Sequence, residues 1–435
     1  LSREPELPLR LVMILSVLMF AYSVRSVAHL TRRHFSPTYS SLAAVLCFFP
    51  IVFNGALNGL ETGLLVLVTL LAVRFAFTRD VLLPEAGHRD VLLFGILLGC
   101  ATLSRLDAVF LFGAAIVMRL ASLITCLSNV RRAFASSALL ALGFLLVLMP
   151  YLIWNVVVFG ALMPISGTVK SSFPSFRATL TLEDDMLLGA LVLTAVGALL
   201  GIRTYFTPQP QRIRLLVSSP LTMLVVGCVM HFAHALFFLT WGVYWWHFCL
   251  YCLGLSLLVP AVLASSPFHG WIERHGSLSR LFMGTVALMA VAANGVILYP
   301  KHMIHTEWLR AADWAKAHTP PDAVFAMKDA GLFGYFSERR VVNLDGKANS
   351  RAYLSYLVCD DVVTYLRGVG VSFVADLHAT YRHGSAVIAL PRANMSPAIL
   401  AMPEEKELYR GRLMPKAVAR PHQDGVGHFA IWSYK

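Results

Sequence analysis

The sequence predicts an α-helical polytopic membrane protein, with about ten transmembrane helices and a C-terminal soluble α/β domain. Three observations support this class. Of the 435 residues, 57% are hydrophobic and only 14% are charged, and the mean hydropathy is +0.67. Apolar stretches of a length that spans a bilayer recur along the first 300 residues. From residue 301 onward the composition becomes polar and mixed, as in a water-soluble domain.

Each predicted helix corresponds to one apolar stretch. The stretches run over 9–30, 39–57, 62–79, 91–105, 107–125, 133–157, 186–202, 217–240, 243–264 and 279–300. Arg105 and Asp107 interrupt what could otherwise be one hydrophobic region. Counting 91–105 and 107–125 as two helices therefore decides the orientation of every later loop.

Basic residues in the loops predict the orientation, because Lys and Arg accumulate on the cytoplasmic side. One alternate set of loops holds Arg32, Arg33, Arg74, Arg79, Arg89, Arg131, Arg132, Arg203, Arg212, Arg214, Arg274 and Arg280. The other set holds only Arg105, Lys170 and Arg177. We therefore expect a multi-pass membrane protein with the bare loops and the C-terminal tail on the outer face. The net charge of +12 comes mainly from basic residues that anchor the loops at the inner leaflet. Because nothing groups these residues into a nucleic-acid surface, no nucleic-acid partner is expected.

The predicted domains are a transmembrane domain over 1–300 and an extracytoplasmic α/β domain over 301–435. A helix over Thr306–Ala315 is expected to begin at a capping threonine and to end before Pro320-Pro321. Strands are predicted over 322–327, 341–344 and 371–375, and a helical stretch over 352–368.

Glu61 is the most informative candidate residue. It lies in a predicted loop over 54–62 that joins two apolar runs and contains no Lys or Arg. Ionisable residues at membrane depth usually face a polar cavity, a partner or a substrate path. The alternative is that Glu61 only caps the following helix, because an acid at a helix N-terminus is favoured by the helix dipole.

The other charged candidates also have two interpretations each. Arg105 and Asp107 are either site residues or a structural ion pair at a helix break. Lys170 either binds a phosphate or is a solvated loop lysine. The acidic run Glu183-Asp184-Asp185 either supplies a base or begins the following helix.

The histidines and aromatic residues near 231–247 form a further candidate group. His231 and His234 could bind a metal, but satisfied buried histidines are the simpler interpretation because no third ligand lies nearby in the sequence. No metal ligands are assigned. Tyr244 and His247 belong to an aromatic segment over 241–247, which is mainly an interfacial aromatic belt and whose outer position also suits contact with a lipid headgroup or a sugar ring. Cys249-x-x-Cys252 has a redox or zinc spacing, but its membrane helix favours packing.

Four segments, in order, carry a resemblance to a known family. They are Gly59-Leu60-Glu61-Thr62-Gly63-Leu64-Leu65, Leu103-Ser104-Arg105-Leu106-Asp107-Ala108, the Phe159–Lys170 segment with its Phe-Gly and Pro164, and Asp329–Ser337 followed by Val342–Gly346. They resemble motifs of the GT-C superfamily of polytopic membrane glycosyltransferases, which includes bacterial mannosyltransferase-like and arabinofuranosyltransferase-like enzymes. Leu106 and Ala108 depart from the Pro and Gly of the family turn.

The resemblance implies an inverting glycosyltransferase. Such an enzyme moves a sugar from a polyprenyl-phosphate-linked donor in the bilayer to a cell-envelope glycan or lipid acceptor outside the cell. It implies a location in the bacterial inner (plasma) membrane, with Glu61 and Asp107 as catalytic acids and Arg105 and Lys170 as substrate-binding residues. The aromatic segment adds Tyr244 and His247 to the substrate-binding candidates. A cation or metal would offset the charge that develops on the phosphate. No cofactor is assigned. A divalent metal ion is the cofactor that would suit this chemistry.

The family also predicts where the principal base lies, namely in the first external loop between the first two helices. The sequence begins with Leu1, not Met, and its first helix is expected to enter from outside. We therefore expect a preceding segment that carries this base, with Glu61 organising the site or positioning the acceptor. Two rival hypotheses are a transporter or flippase of a lipid-linked or small polar substrate, and a non-catalytic member that binds lipid-linked sugar or a partner enzyme.

Overall fold

A computed structural model describes most of the chain. The described residues are 6–57, 61–83, 85–125, 130–176, 184–209, 211–239, 243–327, 330–359, 362–378, 414–418 and 428–433. They form two compact units. The first comprises Leu1–Trp154, Thr179–Phe237 and Val243–Gly295, and the second comprises Asn155–Ala178, Phe238–Gly242 and Val296–Lys435. The division into domains at 1–300 and 301–435, which composition predicts, stays a prediction.

Helices make up nearly all of the first unit. In chain order the helices up to residue 318 are α1 (Leu7–His34), α2 (Pro37–Leu46), α3 (Pro50–Leu57), α4 (Thr62–Arg79), α5 (His88–Ser104), α6 (Val109–Thr125), α7 (Val130–Phe159), α8 (Ile165–Lys170), α9 (Asp184–Phe206), α10 (Gln211–Ser218), α11 (Pro220–Phe238), α12 (Cys249–Ser265), α13 (His269–Arg274) and α14 (Gly276–His318). Two short 3-10 turns, Leu106–Ala108 and Trp245–Phe248, precede α6 and α12.

The predicted fold class is confirmed: the chain is a helical polytopic membrane protein with a C-terminal α/β domain. Within the described residues, seven helices are long and apolar enough to cross a membrane, and eight if α2 and α3 form one span bent by 62°. The prediction of about ten also counted α5 and α6. Each of these has 17 residues, which lies at the lower limit for a spanning helix.

Glycines let the helices of the first unit approach closely. A Cβ at Gly95 on α5 would lie 2.2 Å from the carbonyl oxygen of Leu140, and one at Gly143 on α7 would lie 2.2 Å from that of Leu92. Between helices in lipid there is no hydrophobic driving force, so close van der Waals packing at small residues takes its place. These glycines bring the backbones of α5 and α7 into direct contact.

The second unit contains a five-stranded sheet. Its strands are β1 (Val324–Met327), β2 (Arg340–Asn343), β3 (Phe373–His378), β4 (Met414–Val418) and β5 (His428–Ser433), in the order β2-β1-β3-β5-β4. The central strand β1 runs parallel to β2 and β3, whereas β5 is antiparallel to β3 and β4. The predicted strands at 322–327, 341–344 and 371–375 correspond to β1, β2 and β3.

Helices cover both faces of this sheet. Val324 and Ala326 of β1 pack with residues of α16 (Arg351–Val358) and α17 (Val362–Val369). Phe325 and Met327 pack with the end of α14 and with α15 (Gly331–Ser337). All four β1 residues are buried, as expected for a parallel strand between two helical layers.

Of three further local predictions, two were wrong. The helix expected to begin at Thr306 is the continuation of α14, which runs unbroken from Gly276 because the change to polar composition does not interrupt helical hydrogen bonding. The helical stretch predicted over 352–368 is confirmed by α16 and α17, with residues 360 and 361 outside the described part. Within the predicted loop 54–62, residues up to Leu57 belong to α3.

Candidate functional site

Five polar side chains meet at one end of the helical bundle in the first unit. Glu61 directly precedes α4, Arg105 directly follows α5, and Asp107 lies in the 3-10 turn before α6. His231 lies in the second half of α11, and His247 lies in the 3-10 turn before α12. Because successive helices alternate in direction, these positions fall at the same end. We call these five residues the polar cluster.

Arg105 is the centre of the polar cluster. Its Nη2 donates to Asp107 Oδ2 at 2.5 Å, and its Nη1 donates to Thr62 Oγ1 and to the Trp246 carbonyl oxygen, each at 3.3 Å. Its Nε lies 3.8 Å from Glu61 Oε1. Only 7% of the side chain is exposed. The buried guanidinium therefore holds both acids in fixed positions near one another.

Asp107 has one oxygen engaged by Arg105 and one oxygen available. Among the described residues, its buried Oδ1 has no hydrogen-bond partner. Burial by itself raises the pKa of Asp107, but the positive charge and hydrogen bond of Arg105 outweigh it and hold the pKa below its ordinary value. Asp107 is therefore ionised at neutral pH and presents an unpaired acceptor atom.

Buried hydrogen bonds hold the ring of His231 in place beside Asp107. The hydroxyl of Tyr251 donates to the Cys228 carbonyl oxygen at 2.9 Å and lies 2.8 Å from His231 Nδ1. Because the hydroxyl proton is used on Cys228, Nδ1 is the donor to the Tyr251 oxygen. That assignment follows from the hydrogen-bond network. In neutral His231 the acceptor nitrogen Nε2 then faces Asp107 Oδ2, 3.8 Å away.

A small cavity adjoins these groups. Asp107, His231, His247 and Tyr251 are among its lining residues, together with apolar residues of α6 and α11. Its volume is about 10 Å³, roughly the space that one water needs. The cavity thus lies beside the carboxylate of Asp107 and the ring of His231.

The aromatic turn before α12 lies against the polar cluster. Tyr244 and Trp246 stack with ring centroids 4.4 Å apart. Trp246 stacks on His247 at 5.9 Å, and its carbonyl accepts from Arg105. A hydrogen bond of 3.0 Å joins His247 Nδ1 and the Tyr244 carbonyl oxygen. Both predicted residues of this turn, Tyr244 and His247, are thus positioned by the same stack.

Glu61 occupies the N-cap position of α4, but its side chain makes no capping hydrogen bond. Instead its carboxylate faces Arg105, and 51% of the side chain is exposed. The backbone carbonyl of Glu61 accepts from Leu65 at 3.0 Å, as the first bond of the helix. Of the two acids in the polar cluster, Glu61 is therefore the more accessible.

Lys170 belongs to the second unit, where it is the last residue of α8 and is partly buried. Two neighbouring contacts define that segment. Arg351 donates to the Met163 carbonyl oxygen at 2.5 Å, and a Cβ at Gly346 would lie 3.7 Å from Val169. The predicted phosphate role of Lys170 stays a prediction.

The remaining predicted residues are placed as follows. Asp184 and Asp185 begin α9, whereas Arg177 and Glu183 lie outside the described residues, as do Asp329 and the loop residues 58–60. The rings of His234 and Phe110 lie 5.2 Å apart. In the described ranges, no group of three or more His, Cys, Asp or Glu side chains is placed to hold a metal ion.

Three partners in the cluster were not anticipated from the sequence. They are Thr62, the Trp246 carbonyl and Tyr251. Thr62 is adjacent to Glu61, but nothing in the sequence marks it as a partner of Arg105. A backbone carbonyl carries no sequence signal at all. Tyr251 lies in the first turn of α12, four residues after His247 of the preceding 3-10 turn, and that spacing is the one signal that could have indicated it.

The architecture defines the class: a polytopic helical membrane protein with a polar cluster at one end of its helices. A family model described as a domain of unknown function (DUF8728) matches residues 298–410. No curated protein matches the chain. The solved structures include the Archaeoglobus fulgidus oligosaccharyltransferase, crystallised with zinc and sulfate, which is similar with a TM-score of 0.42 and 12% identity over 84% of this chain. The chain spans 56% of the length of that protein.

Proposed function

We propose that the chain is a membrane glycosyltransferase that moves a sugar from a polyprenyl-phosphate donor to a cell-envelope acceptor outside the cell. One observation carries the proposal: Glu61, Arg105 and Asp107, chosen from two separate sequence motifs, form a single ion-paired cluster with an accessible carboxylate. The sequence resemblance to the GT-C superfamily supplies the reaction class. The cluster supplies side chains that this reaction requires.

The chemistry needs a base for the acceptor hydroxyl. In the transfer, the acceptor oxygen forms a bond to the anomeric carbon while the bond from that carbon to the phosphate oxygen breaks. The electron pair leaves with the polyprenyl phosphate, and the hydroxyl proton passes to a carboxylate. Of the two acids in the polar cluster, Glu61 is the one that a substrate can reach, because half of its side chain is exposed. In this proposal Glu61 takes the proton, the role that the family resemblance gives to an acid of a preceding segment.

Arg105 and Asp107 have supporting roles in this proposal. Arg105 lies 3.8 Å from Glu61 Oε1 and orients that carboxylate. Asp107 fixes the guanidinium through the 2.5 Å hydrogen bond. Its buried Oδ1 can accept from a water in the adjoining cavity. The stacked Tyr244 and Trp246 rings suit the apolar face of a sugar.

The test is a transfer assay on the full chain, reconstituted in vesicles with a panel of labelled polyprenyl-phosphate sugars. Glu61→Gln is expected to lower turnover about 10²-fold or more, the usual contribution of a general base, without changing thermal stability. Asp90→Asn is the matched control, because Asp90 lies in the first turn of α5, at the helix end opposite Arg105. Lys170→Ala tests the predicted phosphate contact by its effect on KM.

Transfer by Glu61→Gln at the wild-type rate would remove Glu61 from the catalytic step. If the wild type releases no polyprenyl phosphate with any donor, the glycosyltransferase proposal fails. Equal losses in Glu61→Gln and Asp90→Asn would point to a general effect of removing charge rather than to the site.

One observation favours the transporter hypothesis, namely the bend of 62° between α2 and α3. Broken helices occur in transporters, where unwound carbonyls bind the coupling ion. Here, however, the Phe48 carbonyl oxygen at the break accepts a 2.8 Å hydrogen bond from Asn294 Nδ2. Accumulation of labelled substrate inside the vesicles, with no released polyprenyl phosphate, would favour transport over transfer.

A further inference from the structure

A second cavity lies in the first unit, at the helix ends opposite the polar cluster. It has a volume of about 210 Å³. Apolar side chains form most of its wall. They are Leu30, Phe35, Phe77, Leu221 and Leu257. The hydroxyl of Thr31, which also lines the cavity, donates to the Val27 carbonyl oxygen at 2.7 Å. The walls therefore suit hydrocarbon better than a polar solute.

Arg203 is the charged residue of this cavity wall. It lies in the last turn of α9 and is partly buried. Within the described part of the chain its buried Nη1 has no hydrogen-bond partner, and no carboxylate pairs with its guanidinium. Burying part of a guanidinium without a partner for it is costly, and intramembrane charges of this kind usually serve a ligand. An anion bound at Arg203 would offset that cost.

The position of the cavity limits the source of the anion. Leu30 and Phe35 lie near the end of α1, and Phe77 lies near the end of α4. These ends carry the arginine-rich loops that the charge pattern predicts to be cytoplasmic. Basic pockets between helices on that side are suited to lipid headgroups. The combination of hydrocarbon walls and one unpaired guanidinium matches an acyl chain joined to a phosphate.

We propose that this cavity is a binding site for an anionic phospholipid. The phosphate contacts the guanidinium of Arg203, since the planar fork of Arg matches phosphate oxygens. Part of one acyl chain lies between Leu221, Phe77 and Leu257. The site is separate from the polar cluster and does not depend on the proposed transfer reaction.

The experiment measures lipid retention by the purified full chain. The protein is taken from nanodiscs of phosphatidylcholine with a minor fraction of phosphatidylglycerol, and native mass spectrometry counts the lipids that remain bound. Wild type is expected to retain one phosphatidylglycerol in preference to phosphatidylcholine. Arg203→Gln is expected to weaken this retention about ten- to hundredfold, the loss of a hydrogen-bonded charge pair.

Two further variants keep the test decisive. Arg79→Gln removes an exposed arginine from the last turn of α4, at the same end of the bundle, and is expected to retain lipid as wild type does. Leu221→Phe narrows the cavity without changing charge and is expected to lower retention. It carries the test if Arg203→Gln does not fold.

Two outcomes would overturn the proposal. In the first, Arg203→Gln or Leu221→Phe retains phosphatidylglycerol as wild type does. In the second, inorganic phosphate displaces the lipid as effectively as a second phospholipid does, which would assign the guanidinium to a free anion. Displacement by phospholipid alone supports the lipid assignment.

Discussion

Replacing Arg105 by Gln should destabilise the first unit by about 3–5 kcal/mol, because it leaves a buried acid without its partner. The structure sets this magnitude. Arg105→Gln removes the 2.5 Å hydrogen bond to Asp107 Oδ2 and the two 3.3 Å bonds to Thr62 and Trp246. Only 7% of the Arg105 side chain and 21% of the Asp107 side chain are exposed. Water therefore replaces little of what is lost.

A double-mutant cycle isolates the pair. Arg105→Gln, Asp107→Asn and the double variant are unfolded in mixed detergent micelles and followed by tryptophan fluorescence. The double variant should cost less than the two single variants together, with a coupling of about 0.5–3 kcal/mol. Lys316→Gln is the control, because Lys316 and Glu338 are also 2.5 Å apart but 48% and 60% exposed. Such a pair contributes about 0–1 kcal/mol.

The pH dependence gives a second measure of the same pair. Since Arg105 lowers the folded-state pKa of Asp107, the contribution of the pair is present above the unfolded pKa and is lost as pH falls through the folded pKa. Without Arg105, burial raises that pKa and ionisation of Asp107 opposes folding. The stability gap between wild type and Arg105→Gln should therefore widen from acid to neutral pH. Additive single variants, or a gap that does not change with pH, would refute the reasoning.

Three other substitutions test the packing that surrounds the site. Asn294→Ala should cost about 1–3 kcal/mol, because the Phe48 carbonyl at the α2–α3 bend loses its 2.8 Å donor; a lower midpoint in detergent unfolding would confirm it. Gly55→Ala should cost about 1–3 kcal/mol, because its Cβ would lie 2.4 Å from Cys249 Sγ; Gly197→Ala, where a Cβ meets nothing within 4 Å, is the control in a thermal-melt comparison. Gly346→Ala should cost about 1–2 kcal/mol, because its φ of +76° disfavours a side chain; calorimetry should show a lower melting temperature.

The sequence predicted the elements whose formation depends on local properties. The stretch 62–79 matches α4, Thr62–Arg79, at both ends, because a bilayer selects helices by length and hydropathy alone. Strands β1 to β3 were also found, since each is a short apolar run between turns. The helix boundary at Thr306 was wrong because composition reports the surroundings of a segment and not the continuity of its backbone.

The candidate site was predicted in part. Glu61, Arg105 and Asp107 were chosen because charged residues in bare loops are rare, and the structure places them together. Lys170 lies in the other compact unit. The hydrogen-bond chain through Tyr251 and the Cys228 carbonyl was not predicted, because a backbone carbonyl and a buried tyrosine carry no distinctive pattern.

The sequence by itself determined the class of protein, the apolar helices and the uneven charge of the loops, because hydropathy and charge act over a single segment. Only the tertiary structure decided which polar groups meet. Arg105 contacts Thr62 and the Trp246 carbonyl, which lie 43 and 141 residues away along the chain. It likewise brought Arg203 of α9 to a cavity lined by residues of α1, α4, α11 and α12. Such contacts depend on the order in which helices pack, and no local periodicity carries that information.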